Sequence, residues 1–156
     1  MTNKLKIGLD YHGVITRRPE YFAAFARAAV QQGCEIHIVT GGPQQVVAAA
    51  LKQLHLPYTR IFAILDYYEA KGVVEHLPDG NFHIPDELWD SAKAEYCRRA
   101  AINVHIDDSN HYIKWFTTPY CRYVHNADIC YTADDIPIDF SQPPASALAQ
   151  IMRIIS

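Results

Sequence analysis

No apolar stretch in this chain approaches the length needed to span a bilayer, and the opening residues, MTNKLKIGLDYHG, lack the long apolar core of a secretory signal. Dense basic runs are also missing. Lys and Arg total 14 against 17 Asp and Glu, a formal net charge of −3, which leaves no electrostatic footprint for nucleic acid. Isolated pairs such as Arg17-Arg18 and Arg98-Arg99 read as solvated surface. Cysteine is scarce: Cys34, Cys97, Cys121 and Cys130 form no C-x-x-C pair, so a zinc site is not expected. The four read as ordinary thiols of a reducing compartment. Internal repeats and low-complexity segments are absent. The expectation is a soluble cytoplasmic protein with no membrane partner.

What is present is a globular composition, 49% hydrophobic and 20% charged over 156 residues, long enough to bury a core. The connections are too short to divide the chain, so one domain over 1–156 is expected. Residues 4–9, KLKIGL, predict a first strand. PEYFAAFARAAVQQG (19–33) predicts a helix, with Pro19 in its first turn, Phe22, Phe25, Ala29 and Val30 on one side, and Gly33 as its stop. CEIHIVT (34–40) predicts a second strand, GGP opens the helix QQVVAAALKQLH, and RIFAIL (60–65) predicts a third strand. Residues 66–84 carry two short extended segments about Pro78-Asp79-Gly80, a small hairpin insertion.

PDELWDSAKAEYCRRAA (85–101) predicts a helix with Leu88, Ala92, Tyr96 and Arg99 on one face and Trp89 and Lys93 on another. INVHI (102–106) predicts a fourth strand running into Asp107-Asp108. A short helix, a fifth strand near CRYVH, the loop TADDIPIDFSQPP and the helix ASALAQIMRIIS complete the chain. Such alternation predicts an α/β domain: three layers, doubly wound, with a mainly parallel sheet.

In open α/β sheets, ligands bind beyond the carboxyl ends of the strands. Two strands deliver carboxylates to that edge, Asp10 from the first and Asp107 and Asp108 from the fourth, while the second delivers the Thr40 hydroxyl before Gly41-Gly42. Clustered acids repel, so a site that gathers them calls for a cation, and hard oxygen ligands suit Mg²⁺. Backbone N–H groups after Thr40, at the start of a helix, favour an anion. A metal beside an anion pocket is an arrangement for phosphoryl transfer.

Taken in order, these elements resemble the haloacid dehalogenase-like (HAD) superfamily. Its first motif, an apolar strand ending in Asp-x-Asp-Gly-x-x-Thr, is similar to LDYHGVIT except at the second acid, where His12 stands. Its second motif, a strand ending in Thr or Ser, is similar to IHIVTGG. Its third is a lysine on a later helix, for which Lys93 in WDSAKAEY is the best placed and Lys71 the rival. Its fourth, a strand ending in Asp-Asp or Gly-Asp, is similar to VHIDDSN. The resemblance runs from about Lys4 to His111.

The resemblance implies a Mg²⁺-dependent phosphatase working through an aspartyl-phosphate. Asp10 would be the nucleophile. The metal would be held by Asp10, the backbone carbonyl of His12 and an acid of the fourth motif, Asp108 in preference to Asp107. Thr40, Gly41 and Lys93 would bind the phosphoryl group. Tyr112 stands where the family often has a further acid. The second acid of the first motif protonates the leaving group and then activates water; imidazole can do both jobs in principle, whereas Mg²⁺ and Lys93 nearby would disfavour imidazolium and leave a neutral His12 as a base for water but a poor acid for an alkoxide.

His37 and His105 are expected as hydrogen-bonded interior residues, His76 and His83 as surface, and His111 near the metal acids. Neither interval that can hold a cap domain is long enough for one. An open site is expected, with Tyr67, Tyr68, Phe82 and Trp89 at its entrance. Its partner would be a phosphorylated small molecule or macromolecule, or a second subunit of a homo-oligomer would act as lid. The alternative is a catalytically impaired phosphate- and metal-binding or regulatory module on the same scaffold. Dehalogenation at carbon, which needs no Mg²⁺ in this family, is disfavoured by the Asp107-Asp108 pair.

Overall fold

A computed structural model of the chain describes residues 4–124, 129–131 and 137–155. His125, the segment 132–136 of the expected loop and the terminal Ser156 fall outside them. Nine strands and five α-helices are present among the described residues, with a π-helical turn at Tyr11–Ile15 and a short 3-10 helix at Ile113–Trp115: β1 (Lys6–Asp10), α1 (Pro19–Gln31), β2 (Glu35–Thr40), α2 (Gln44–Gln53), β3 (Arg60–Ala63), α3 (Ile64–Ala70), β4 (Glu75–His76), β5 (Phe82–His83), α4 (Asp86–Arg99), β6 (Val104–Asp107), β7 (Tyr120–Val124), β8 (Ile129–Tyr131), β9 (Pro137–Asp139) and α5 (Pro144–Ile155).

The main sheet runs in the order β3-β2-β1-β6-β7-β8-β9. The five strands from β3 to β7 are all parallel, and β8 and β9 continue the sheet antiparallel. Strand alternation sorts its side chains between two cores. Ile7, Leu9, Ile36, Ile38, Val104 and Ile106 pack with α1, α2 and α5, whereas Val39 and Phe62 pack with α3 and α4. The result is the three-layer, Rossmann-like α/β arrangement expected. On the α3–α4 face, β1 and β6 place Gly8, Asp10, His105 and Asp107 instead of apolar residues.

Local signals explain much of this. Pro19 opens α1, and Gly33, at φ +85°, closes it as Gly33 N–H donates to Val30 O and Cys34 N–H to Ala29 O. The apolar stripe of α1 is shifted from expectation: Val30 is 43% exposed, and Ala26 is buried in its stead. On α4, Ala92 and Tyr96 are buried, but Leu88 and Arg99 face solvent.

Several expectations need correction. RIFAIL is not one strand, because the chain turns into α3 at Ile64, burying Ile64 and Tyr68 one turn apart in the second core. A short apolar run does not distinguish strand from helix. The hairpin is therefore smaller than 66–84: two-residue strands β4 and β5 about a turn in which Leu77 N–H donates to Asn81 O. Residues 137–139, expected as loop, form β9 because Cys130 and its neighbours supply a pairing edge. Finally, Cys34 and Cys97 are free thiols, but Cys121 is disulfide-bonded. The antiparallel return of β8 brings the strand carrying Cys130 beside β7, a proximity that spacing along the chain does not reveal. No helix among the described residues is long and apolar enough to cross a membrane.

Candidate active site

The strand order reverses between β1 and β6: β2 and β3 lie to one side of β1, β6 and β7 to the other. Ligand crevices form at such a switch point, beyond the carboxyl ends of the strands. Parallel pairing of Gly8 with His105 and Leu9 with Ile106 brings Asp10 and Asp107 to the same edge. Asp10, Asp107 and Asp108 each offer a carboxylate oxygen, and these oxygens all lie within 4.8 Å of one another. A cavity of about 390 Å³ opens over them.

Lys93 enters from α4 and bridges two of the three acids. Its Nζ lies 3.0 Å from Asp10 Oδ1 and 3.1 Å from Asp107 Oδ2, with all three side chains buried. Lys71, the rival, is exposed and sits over the Tyr67 ring instead. Burial alone would lower the Lys93 ammonium, but the Asp10 and Asp107 carboxylates outweigh it and hold Lys93 above its ordinary value. Burial raises Asp10 well above the usual carboxylate range; Lys93 offsets part of this, while Asp107 and Asp108 add to it. Three carboxylates crowd together here, and the Lys93 ammonium bridges two of them, so negative charge is concentrated at this edge. A divalent cation fits that donor set.

The two acids of β6 differ in what they do. Asp107 takes three donors: Ser109 N–H donates to Oδ1 at 3.0 Å, and Lys93 and His105 Nε2 both donate to Oδ2, the latter at 2.9 Å. Burial opposes its ionisation, but His105 and Lys93 prevail and hold Asp107 below its ordinary value. Asp107 thus anchors Lys93. Asp108 is half-buried and meets the backbone after β1: a Cβ on Gly13, which has φ +87°, would run into its carboxylate.

His105 is a hydrogen-bonded interior residue, as expected, although its link to the site is not legible in the sequence. Its ring stacks on Phe116 with centroids 5.1 Å apart, and burial holds it below its ordinary value. Gly8 on β1 makes the space, since a Cβ there would lie 2.7 Å from His105 Nδ1, which finds no hydrogen-bond partner among the described residues. His37 is likewise interior, 2.7 Å from Tyr96 Oη. His111 pairs with Asp90 at 3.1 Å and is largely exposed.

His12 lines the cavity with an exposed imidazole and extended backbone, φ −74° and ψ 122°. The turn beyond it is closed by Gly13 N–H donating to Thr16 Oγ1 at 2.9 Å. Gly41 also lines the cavity. Thr40, fully buried beneath it, accepts from Gly42 N–H at 3.3 Å and is not part of the lining. The start of α2 is not the open anion site expected. Asp66 of α3, which sequence reasoning passed over, accepts the Gln44 N–H at 2.7 Å.

Of the aromatics expected at the entrance, Trp89 lines the cavity, and Phe82, outside the lining, tilts against the Trp89 ring with centroids 5.9 Å apart. Tyr68 is in the core, and Tyr67 packs on Phe62. Tyr112, expected only as the place of a missing acid, forms cavity wall: its ring centroid lies 5.2 Å from Lys93 Nζ, and its oxygen accepts from Trp89 Nε1 at 3.3 Å. No protein-family model matches the chain, and no curated protein matches it.

Proposed function

We propose that this chain is a Mg²⁺-dependent phosphatase of the haloacid dehalogenase-like type. The observation that carries the reading is the Lys93 ammonium bridging Asp10 and Asp107 inside a three-carboxylate cluster at the sheet's switch point. Asp10, Asp108 and the His12 backbone carbonyl would hold Mg²⁺, which when bound offsets the cluster's negative charge and that of the phosphoryl oxygens. Asp108 is preferred to Asp107 because Lys93, His105 and Ser109 already donate to the Asp107 carboxylate.

Asp10 supplies the attacking carboxylate and Lys93 orients it, while the same ammonium neutralises charge on the incoming phosphoryl group. The aspartyl-phosphate formed on Asp10 is then opened by water. Gly41 borders the phosphoryl position, and Thr40 braces that turn from below through Gly42. His12, which lines the same cavity, would serve as base for the attacking water. Phosphate release from a broad panel of phosphorylated compounds, with Mg²⁺ or EDTA, for wild type and Asp10→Asn, tests the reading. Mg²⁺-dependent release that disappears in Asp10→Asn is expected; equal release by both proteins refutes Asp10 as nucleophile.

A second reading, a phosphate- and metal-binding module without turnover, is favoured by one feature: an imidazole at position 12 where the resemblance calls for a carboxyl. His12→Asp separates the two. A large gain in phosphate release identifies an impaired site, and a loss identifies His12 as a working group.

A further inference from the structure

The cavity has one wall that phosphoryl transfer alone does not require. Trp89 lies one helical turn before Lys93 on α4, and both side chains line the cavity. The ring is held on several sides: Nε1–H donates to Tyr112 Oη, Phe82 of the hairpin tilts against it, and Gly41 admits its edge. A Cβ on Gly41 would lie only 3.1 Å from Trp89 Cζ2 and Cη2. Phe82 is itself 39% exposed. A flat, fixed aromatic surface beside the phosphoryl position offers a stacking site for a ring on the substrate.

The second observation is the set of acids. Position 12 presents an imidazole, and each carboxylate lining the cavity has another use: Asp10 as nucleophile, Asp107 as anchor for Lys93 and Asp108 toward the metal. Among the described residues of the lining, no further carboxylic acid is left to protonate a departing alkoxide. Phenols ionise near pH ~10, whereas alcohols do so near water's value of about 16, so phenolate departs without that help.

Resting on the phosphatase reading, we propose that the substrate is a phosphate monoester of a phenol, its ring stacked on Trp89 and bordered by Tyr112 and Phe82. A carboxylate oxygen of Asp10 forms a bond to phosphorus as the P–O bond to the ring breaks. The electron pair leaves on the phenolate, which takes a proton from solvent. Water then attacks the phosphorus of the aspartyl-phosphate, giving its proton to His12, which passes it to solvent, and the Asp10–phosphorus bond breaks to release inorganic phosphate with Asp10 regenerated. A free aryl phosphate and a phosphotyrosine side chain present the same chemistry.

The test compares kcat/KM for phenyl phosphate, a phosphotyrosine peptide, glycerol 2-phosphate, AMP and acetyl phosphate, in wild type, Trp89→Leu, Trp89→Phe and Asp10→Asn. An aryl preference of about tenfold or more over both alkyl esters is expected. Trp89→Leu should cut the preference for phenyl over acetyl phosphate about tenfold, mostly through KM, with Trp89→Phe retaining it. Turnover of the peptide assigns the side chain as source, turnover of phenyl phosphate alone assigns a free aryl phosphate, and either supports the proposal. Alkyl esters turned over as well as aryl ones, or a preference untouched in Trp89→Leu, overturns it. Silence toward acetyl phosphate as well, or release that persists in Asp10→Asn, refutes the phosphatase reading beneath it.

Discussion

Removing the Lys93 charge should cost far more stability than removing the Asp10 charge, although the two side chains share one ion pair. Lys93 is the single cation between two buried acids, at 3.0 and 3.1 Å, and its side chain is only 7% exposed. Lys93→Met leaves Asp10 and Asp107 facing each other without it, and deleting one partner of a buried ion pair costs about 3–5 kcal/mol. For a domain of this size each kcal/mol shifts Tm by about 2–4 °C, so Lys93→Met should melt roughly 6–20 °C below wild type.

Asp10→Asn works in the opposite direction. Burial and two neighbouring carboxylates raise Asp10, so the folded state holds its proton more tightly than the unfolded chain does. Its contribution to stability is present below the ordinary carboxylate value of about 3.9 and is lost as pH rises through the folded value. At pH 7.5 without metal, Asp10→Asn should therefore melt at or above the wild-type temperature, since Lys93 keeps Asp107 as partner. Mg²⁺ at a hundred times its Kd should stabilise wild type by about 2.7 kcal/mol, and Asp10→Asn should lose most of that gain. Calorimetry of the three proteins in EDTA and in Mg²⁺ reads all of this. If Asp10→Asn in EDTA falls as far as Lys93→Met, the cluster is electrically balanced without a cation, and the reasoning from concentrated negative charge is wrong.

Other perturbations follow from the same geometry. Asp107 is held below its ordinary value, so its stabilisation is present above about pH 4 and lost as pH falls through the folded value; Tm measured from pH 7 to pH 2 should show a flatter acid limb in Asp107→Asn. Gly13→Ala combines a positive φ with a Cβ driven into the Asp108 carboxylate, and it should sharply reduce the rise in Tm produced by Mg²⁺. A Mg²⁺ response equal to wild type would sink the assignment of Asp108 as ligand. Asp66→Ala removes the carboxylate from the Gln44 N–H and should cost about 0.5–2 kcal/mol, seen as a lower Tm with the Mg²⁺ response intact.

Much of the site is legible in the sequence because its acids sit at strand ends. An apolar run that stops on a carboxylate, as at Leu9-Asp10 or Ile106-Asp107, states locally that the chain leaves the core there. Parallel strands then place both carboxylates at one edge. The α1 boundaries are legible for a similar reason, since Pro19 and Gly33 act through their own backbone dihedrals. Where the deciding partner lies far along the chain, local pattern gives no guide. The turn of Ile64 into a helix depends on the second core, and β9 exists because β8 offers it an edge.

The amino-acid sequence by itself determined the alternation of strands and helices, the acids at the strand ends and the imidazole at position 12, because these follow from residue type and near neighbours. Only the tertiary structure chose Lys93 over Lys71, gave Asp107 its three donors, placed Asp66 at the start of α2, and set Trp89 and Tyr112 as a wall. Each of those depends on where α3 and α4 lie across the sheet. A hydrogen bond reaches about 3 Å, so which side chains meet is settled by packing between elements, not by their order along the chain.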